Sequence, residues 1–397
     1  MSLPSHLSPT DVEAFGRALD ALRDTTIASR GAADRAYILG VIRLQRGFNL
    51  FGRLAILAAL PLLPQLGLVE SLWWAATMAG LGGVLLSLGK ILENMEIGHN
   101  VMHAQWDWMH DPHIHSSNWE WDNVCPSSQW KHSHNVVHHT WTNVLGKDPD
   151  VGYGVLRVTP EQPWRPKYLL QPLVNVLLQF YFQWGVALHD VEPEKLLDGK
   201  KSLADTMPIL REIGVKAWRQ LRKDYVVWPV LSALLVLPLA AAGVAPWAVL
   251  AWAFGATALA NLLANGIRNV WSNLIIFCGH FPAGVHHFTE ADVANETRGA
   301  WYIRQLLGSC NISGGPLLHL MSGNLSHQVE HHLFPDLPSN RYPELAPKVQ
   351  ALARQYDLPY NSAPLWRQYG TTTWTIWRLA LPGGRQAEVG FTSAAMR

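Results

Sequence analysis

Charge is scarce in this chain of 397 residues. Only 15% of the residues are Asp, Glu, Lys or Arg, against about 25% in soluble globular domains. The shortage is local. Between Leu54 and Gly89 the only charge is Glu70, and between Tyr225 and Ile267 there is none. Those blocks hold 36 and 43 residues. A bilayer crossing takes about 20 residues, so each block fits two crossings and a tight turn, and one long buried helix is the competing reading. Cysteine is equally sparse: Cys125, Cys278 and Cys310 are odd in number and share no C-x-x-C spacing. A disulfide framework is excluded, and a metal role for Cys278, two residues before His280, is the weaker reading beside a small buried apolar residue. A net charge of +1 with no acidic or basic tail gives no reason to expect a nucleic-acid partner. The first 50 residues carry Asp11, Glu13, Asp20 and Asp24 and show no apolar core before a small-residue cleavage site, so a removable signal peptide is not expected.

These patterns predict an all-α integral membrane protein with four transmembrane helices in two hairpins, near 48–68, 71–92, 225–243 and 246–266. Pro61 and Pro64 break the first block; Gly243 to Pro246 break the second. Arg30, Arg35, Arg43, Arg46 and Arg53 precede the first hairpin, and Lys200 to Lys223 contribute seven cations before the second, whereas the tips carry none. The positive-inside rule then puts both termini in the cytoplasm, in a bacterial setting the cytoplasmic side of the inner membrane. The expected organisation is a cytosolic N-terminal segment (1–47) with a short amphipathic helix at 8–24, a membrane domain (48–345) whose cap comprises 93–224 and 268–345, and a C-terminal helix and tail (346–397). The second helix should run on to His103, and 168–189 should lie at the bilayer interface rather than cross. Strand signals are sparse.

Sixteen of the 18 histidines fall in two windows, His99 to His139 and His280 to His332. His99/His103, His134/His138/His139 and His327/His331/His332 repeat close spacings. Residues four apart share a helix face; the third member of an H-x-x-x-H-H run points about 140° away on an α-helix. Eight donors in three groups exceed what one four-coordinate zinc takes, and no H-E-x-x-H is present, so a multi-metal redox site is favoured over a membrane zinc hydrolase. Transporters place ligands inside their membrane segments, and both apolar blocks lack histidine, which disfavours a metal transporter or sensor. His280 is a further candidate ligand. His286 and His287 read as solvent-exposed loop positions, and His110, His113, His115, His132 and His319 as surface or supporting residues; His6 and His189 receive no role. Asp107, Asp111, Glu120, Asp122, Asp148, Asp150 and Glu290 flank the boxes, with Glu96 and Glu330 nearest to them, and such carboxylates commonly orient metal-bound imidazoles.

HNVMH (99–103), HNVVHH (134–139) and QVEHH (328–332), together with WEWD (119–122), SSQW (127–130), TNVLG (142–146) and GNLSHQVEHHLFPDLPSNRY (323–342), resemble the membrane fatty-acyl desaturases, most of all the bacterial acyl-CoA type. The resemblance runs from about 45 to 350. It implies a di-iron centre, O2 as co-substrate and insertion of a cis double bond into a long-chain acyl substrate, acyl-CoA before other carriers. A hydroxylase of the same superfamily is the alternative. The implied metal residues are His99, His103, His134, His138, His139, His280, His327, His331 and His332, with Glu96, Gln328 and Glu330 beside them. Family third boxes begin with Gln or His; His327, which restores the spacing of the second box, is the expected ligand, with Gln328 as the alternative. No cytochrome b5 motif or Cys-rich ferredoxin segment occurs, so a separate flavin or iron–sulfur donor is implied.

Overall fold

Polar residues spaced along one face of an otherwise apolar run decide how the longest helices pack. The computed structural model describes residues 4–59, 68–192, 195–196 and 199–384. The first hairpin tip, with Pro61 and Pro64, lies outside them. Near the N-terminus, Ser8 caps α1 (Pro9–Ala28) with a reciprocal Asp11 bond, and Phe15 and Leu19 are fully buried beneath it. Next, α2 (Ala32–Ala58) packs along α3, which runs over 68–102. Gly52 and Gly82 lie at their contact, where a Cβ on Gly82 would sit 2.7 Å from the Gly52 carbonyl.

The polar side of the fold is built on α7 (Leu203–Ala241) and α8 (Ala248–His280). Asn261, Asn265, Arg268, Asn269, Ser272 and Asn273 are buried on α8, whereas Leu259, Leu262, Leu263 and Ile267 are exposed. This inside-out distribution suits an apolar solvent. Three helices, Leu72–Met102, Leu203–Ala241 and Ala248–His280, are long and apolar enough to cross a membrane among the described residues. The apolar run by itself predicts a crossing over 246–266 preceded by a charged stretch over 190–224, and the helices extend beyond the apolar run at both ends. Here α8 reaches His280, and α7 begins at Leu203. The amphipathic pattern of 203–222 lets one helix continue beyond the uncharged run.

Between these rods lie the second-box helix α4 (127–141), and α5 (Gln171–Phe180) and α6 (Phe182–His189), which are separated at Tyr181. On α5, Gln171 and Asn175 are buried while Leu173, Leu177 and Phe180 are exposed. The cap is completed by α9 (Arg298–Leu307), α10 (Pro316–Met321), α11 (Gln328–Leu333) and α12 (Tyr342–Gln355). A further helix within the segment expected as tail, α13 (Leu365–Leu379), packs on α5 and α8. Strand content among the described residues is one parallel pair, β1 (Asn311–Ser313) with β2 (Ser362–Pro364), and an isolated bridge from Val144 to Phe288.

Candidate metal centre

Two of the histidine runs sit on widened helix. Glu93–His99 and Lys131–His138 are π-helical. A π turn advances about 80° per residue instead of 100°, which swings His139 from about 140° to about 40° off His134. All three rings of the second box therefore face one centre: His134 lies 5.0 Å from His138 and 4.9 Å from His139, centroid to centroid. The α-helical spacing used for the sequence reading cannot produce that.

The end of α3 supplies His99 and His103, α4 supplies His134, His138 and His139, the last residue of α8 is His280, and α11 supplies His331 and His332. All eight are buried. Ligand atoms of His99, His103, His134 and His331 lie within 4.8 Å of one another, and so do those of His138, His280 and His332. The Nε2 atoms of His99 and His331 are 3.3 Å apart, as are those of His280 and His332. His139 stands between the groups, 4.7 Å from His103 and stacked at 4.5 Å on His332.

This donor set fits metal ions. The Nε2 atoms of His103, His134 and His138, Nδ1 of His280 and both nitrogens of His139 are buried without a hydrogen-bond partner. Burying such atoms unpaired is costly, and a cation removes the cost by accepting their lone pairs. Burial and then the neighbouring imidazoles hold His103, His139, His331 and His332 well below the ordinary histidine range, which keeps them in the neutral, ligating form. Burial also brings His134 down to about 4. For His138 burial acts in the same direction, but Asp148 and Asp150 outweigh it and raise the ring to about 9.

Those two carboxylates are the orienting groups of the second box. Asp148 Oδ1 and Oδ2 are 3.1 and 3.0 Å from His138 Nδ1. Asp150 Oδ2 is 3.6 Å from Nδ1 of both His134 and His138, and its Oδ1 faces His189 Nε2 at 3.0 Å. On the third box, Gln305 Oε1 lies 3.1 Å and Thr142 Oγ1 3.2 Å from His332 Nδ1, and Tyr342 Oη lies 3.3 Å from His331 Nδ1. Held through Nδ1, each ring turns Nε2 inward.

Several sequence expectations need correction. His327 is not brought to this cluster: it precedes the first turn of α11, and its ring packs 4.5 Å from that of His319. Gln328 occupies the place instead, with Nε2 2.9 Å from His280 Nε2. Gly279 makes room for it, because a Cβ there would meet Gln328 Cγ at 2.8 Å. Glu96 and Glu330 brace the scaffold rather than the rings. Glu96 accepts from Ser339 Oγ at 2.5 Å and Asn324 Nδ2 at 3.1 Å; Glu330 accepts from Asn311 Nδ2 and Tyr360 Oη, each at 2.8 Å. His287 is not solvent-exposed: it stacks on Phe281, and burial lowers it to about 4. Cys278 lies outside the clusters, its carbonyl accepting from Cys310 Sγ. His189 was missed. A lone histidine closing an interfacial helix carries no local signal, and its partner is 39 residues earlier.

Beside His99 and His134 a narrow cavity is lined by Met95, Trp121, Trp130, Tyr153, Phe182 and Ile276. Trp130 stacks on His134 at 4.4 Å and meets His99 edge-on at 5.0 Å.

The fatty acid desaturase family model matches residues 71–364. The chain is 46% identical over 378 residues to the NADPH-dependent stearoyl-CoA 9-desaturase of Mycobacterium tuberculosis, covering 95% of this chain and 82% of that protein. It is 25% identical over 299 residues to the sn-1 linoleoyl-lipid 6-desaturase of Synechocystis, covering 72% and 76%. It is 27% identical over 246 residues to the acyl-lipid (7-3)-desaturase of Rebecca salina, covering 61% and 51%.

Proposed function

The chain belongs to the fatty acid desaturase family, and from that premise we propose that it inserts a cis double bond into a long-chain acyl-CoA using dioxygen and a histidine-ligated pair of iron ions. The gathering of eight buried imidazoles from four separated segments into two adjoining groups is the observation that carries this reading. His99, His103, His134 and His331 would hold one ion, and His138, His280 and His332 the other. His139 lies in reach of both, and Gln328 closes the second group. When bound, iron supplies one-electron redox chemistry with dioxygen, which unactivated methylenes require because they offer no acidic proton.

The chain's own residues do the rest. Asp148 and Asp150 hold His134 and His138 by Nδ1, which fixes the tautomer that turns Nε2 inward. Trp121 and Trp130 wall the cavity with rigid aromatic surface, so an alkyl chain is positioned by shape in a dry slot. The acyl-CoA assignment and reliance on NADPH follow the name of the mycobacterial relative; a separate flavin or iron–sulfur protein as the electron carrier is part of the same proposal.

The membrane arrangement belongs to the same proposal: four crossings in two hairpins, the first completed by residues 48–68, with both termini and the iron site on the cytoplasmic face of the bacterial inner membrane. Its support is the lysine and arginine before each hairpin and the leucine-rich exposed faces of the long helices. Residues 1–47, 48–345 and 346–397 then serve as N-terminal segment, catalytic domain and C-terminal segment.

The test is expression in a desaturase-deficient host, with mass spectrometry of the lipids and iron analysis of the purified protein. Loss of two hydrogens at one position, about two irons per chain and disappearance of the product in His138→Ala support the reading. Gain of one oxygen would make the protein a hydroxylase, and one zinc per chain would end the redox assignment.

A further inference from the structure

Three residues, Gln183, Arg268 and Asn269, line two cavities at once. One is the narrow cavity beside His99 and His134. The other is a groove of about 690 Å³ on the outside of the fold, between α5, α6, α7 and α8. The groove is walled by Leu177, Phe180, Leu221, Leu262, Leu263 and Ile267, all exposed. Side chains like these line a surface that meets lipid.

The partition between the two spaces is thin and made of side chains. Arg268 Nη2 donates to Gln183 Oε1 at 2.6 Å and to Asn269 Oδ1 at 3.0 Å. Asn269 Nδ2 donates to the Phe180 carbonyl at 2.8 Å, and Arg268 Nη1 to the Asp122 carbonyl at 2.6 Å. Tyr181, where α5 breaks from α6, directly follows the Phe180 carbonyl. A wall of side chains on separate helices opens by rotamer changes alone and leaves both backbones in place.

We propose that the cavity at the imidazoles opens sideways to the bilayer through this partition, and that the acyl chain of substrate or product passes between the site and the lipid there. Arg268 suits a door better than an apolar plug does. Its guanidinium carries hydrogen bonds in the closed state and can give them to the ester-type carbonyl of a passing chain. The exposed leucines outside then receive the alkyl part, so the chain leaves one apolar surface for another. This inference rests on the acyl-chain reading above.

Gly266 stands in the groove wall, with nothing within 4 Å of a Cβ added to it. Gly266→Cys therefore places one thiol in the proposed path, while Cys125, Cys278 and Cys310 are buried. The iron-loaded, reconstituted variant is modified after folding with octyl or methyl methanethiosulfonate, and turnover of stearoyl-CoA is measured. The expected result is about a tenfold or greater loss with the octyl group, less than twofold with the methyl group, and unchanged iron content. Full turnover with the octyl group attached, or equal loss with either group, overturns the portal. Absence of any desaturation by the unmodified, iron-loaded protein supplied with electrons would instead fault the function proposed above.

Discussion

Gln328 Nε2 lies 2.9 Å from His280 Nε2, although 48 positions separate the two residues. The side-chain amide presents an N–H here, and its oxygen, buried without a partner, is the atom with a lone pair that a turn of the amide would offer to a metal. His327, by contrast, faces His319. His327→Ala should keep iron content and turnover within about twofold of the parent. Gln328→Ala should lower iron affinity or turnover by about 10–100-fold, the range for a group supporting a ligand. Iron per chain after a chelator challenge separates the two.

The Asp150 carboxylate ties α6 to the second box, since it faces His189 on one side and His134 and His138 on the other. Burial would raise its pKa, but those three imidazoles outweigh burial and hold it well below the carboxylate range. His189→Phe keeps a ring in the space but removes the nitrogen facing Asp150. Iron should dissociate about tenfold faster, with a smaller change in stability of the metal-free protein. Chelator-driven release followed by iron absorbance measures the first, and thermal unfolding the second.

An ion pair between buried Asp34 and half-buried Arg341 fixes the start of α2 against the loop after the third box. Asp34 accepts from Arg341 Nε at 2.5 Å, Arg341 Nη2 at 2.7 Å, Asn340 Nδ2 at 2.8 Å and the Gly31 N–H at 2.9 Å. Burial raises the carboxyl, but these donors outweigh it and hold the pKa below the ordinary value. A depressed folded pKa gives stability that is complete above the unfolded value of about 3.9 and is lost as pH falls through the folded one. Asp34→Asn should cost about 2 kcal/mol between pH 6 and 8, with the gap to the parent narrowing below about pH 4. Denaturation in detergent across that range checks both the size and the sign.

The membrane rods and the histidine groups were legible because both are local patterns: runs without charge, and imidazoles at helical spacing. What the chain conceals is local geometry set by tertiary contacts. The π turns that rotate His139 inward leave no mark in HNVVHH, and the choice between His327 and Gln328 depends on how the chain enters α11. Gly323 is part of that choice: its φ is +70°, and a Cβ there would strike the Met95 carbonyl at 2.3 Å, so the loop can lie against α3 only as glycine. Glu96 and Glu330 sit near the boxes in sequence yet serve the scaffold, whereas Asp150 and His189 reach the rings from positions no spacing rule connects.

Removal of iron should loosen the cap more than the membrane rods. Ligand atoms from α3, α4, α8 and α11 converge within a few ångströms, and without a cation their unpartnered nitrogens remain buried against one another. A metal that binds the folded chain about a thousandfold above its dissociation constant contributes about 4 kcal/mol. For a chain of this size that corresponds to roughly 5 °C in midpoint temperature. The iron-free protein should therefore unfold earlier, recover its midpoint when ferrous iron is added back, and show faster amide exchange in α4 and α11 than in the lipid-facing parts of α7 and α8. Hydrogen exchange in detergent, with and without iron, reads both regions in one experiment. Equal protection in the two states would mean that the imidazoles are held by packing alone and that the cation contributes nothing to their order.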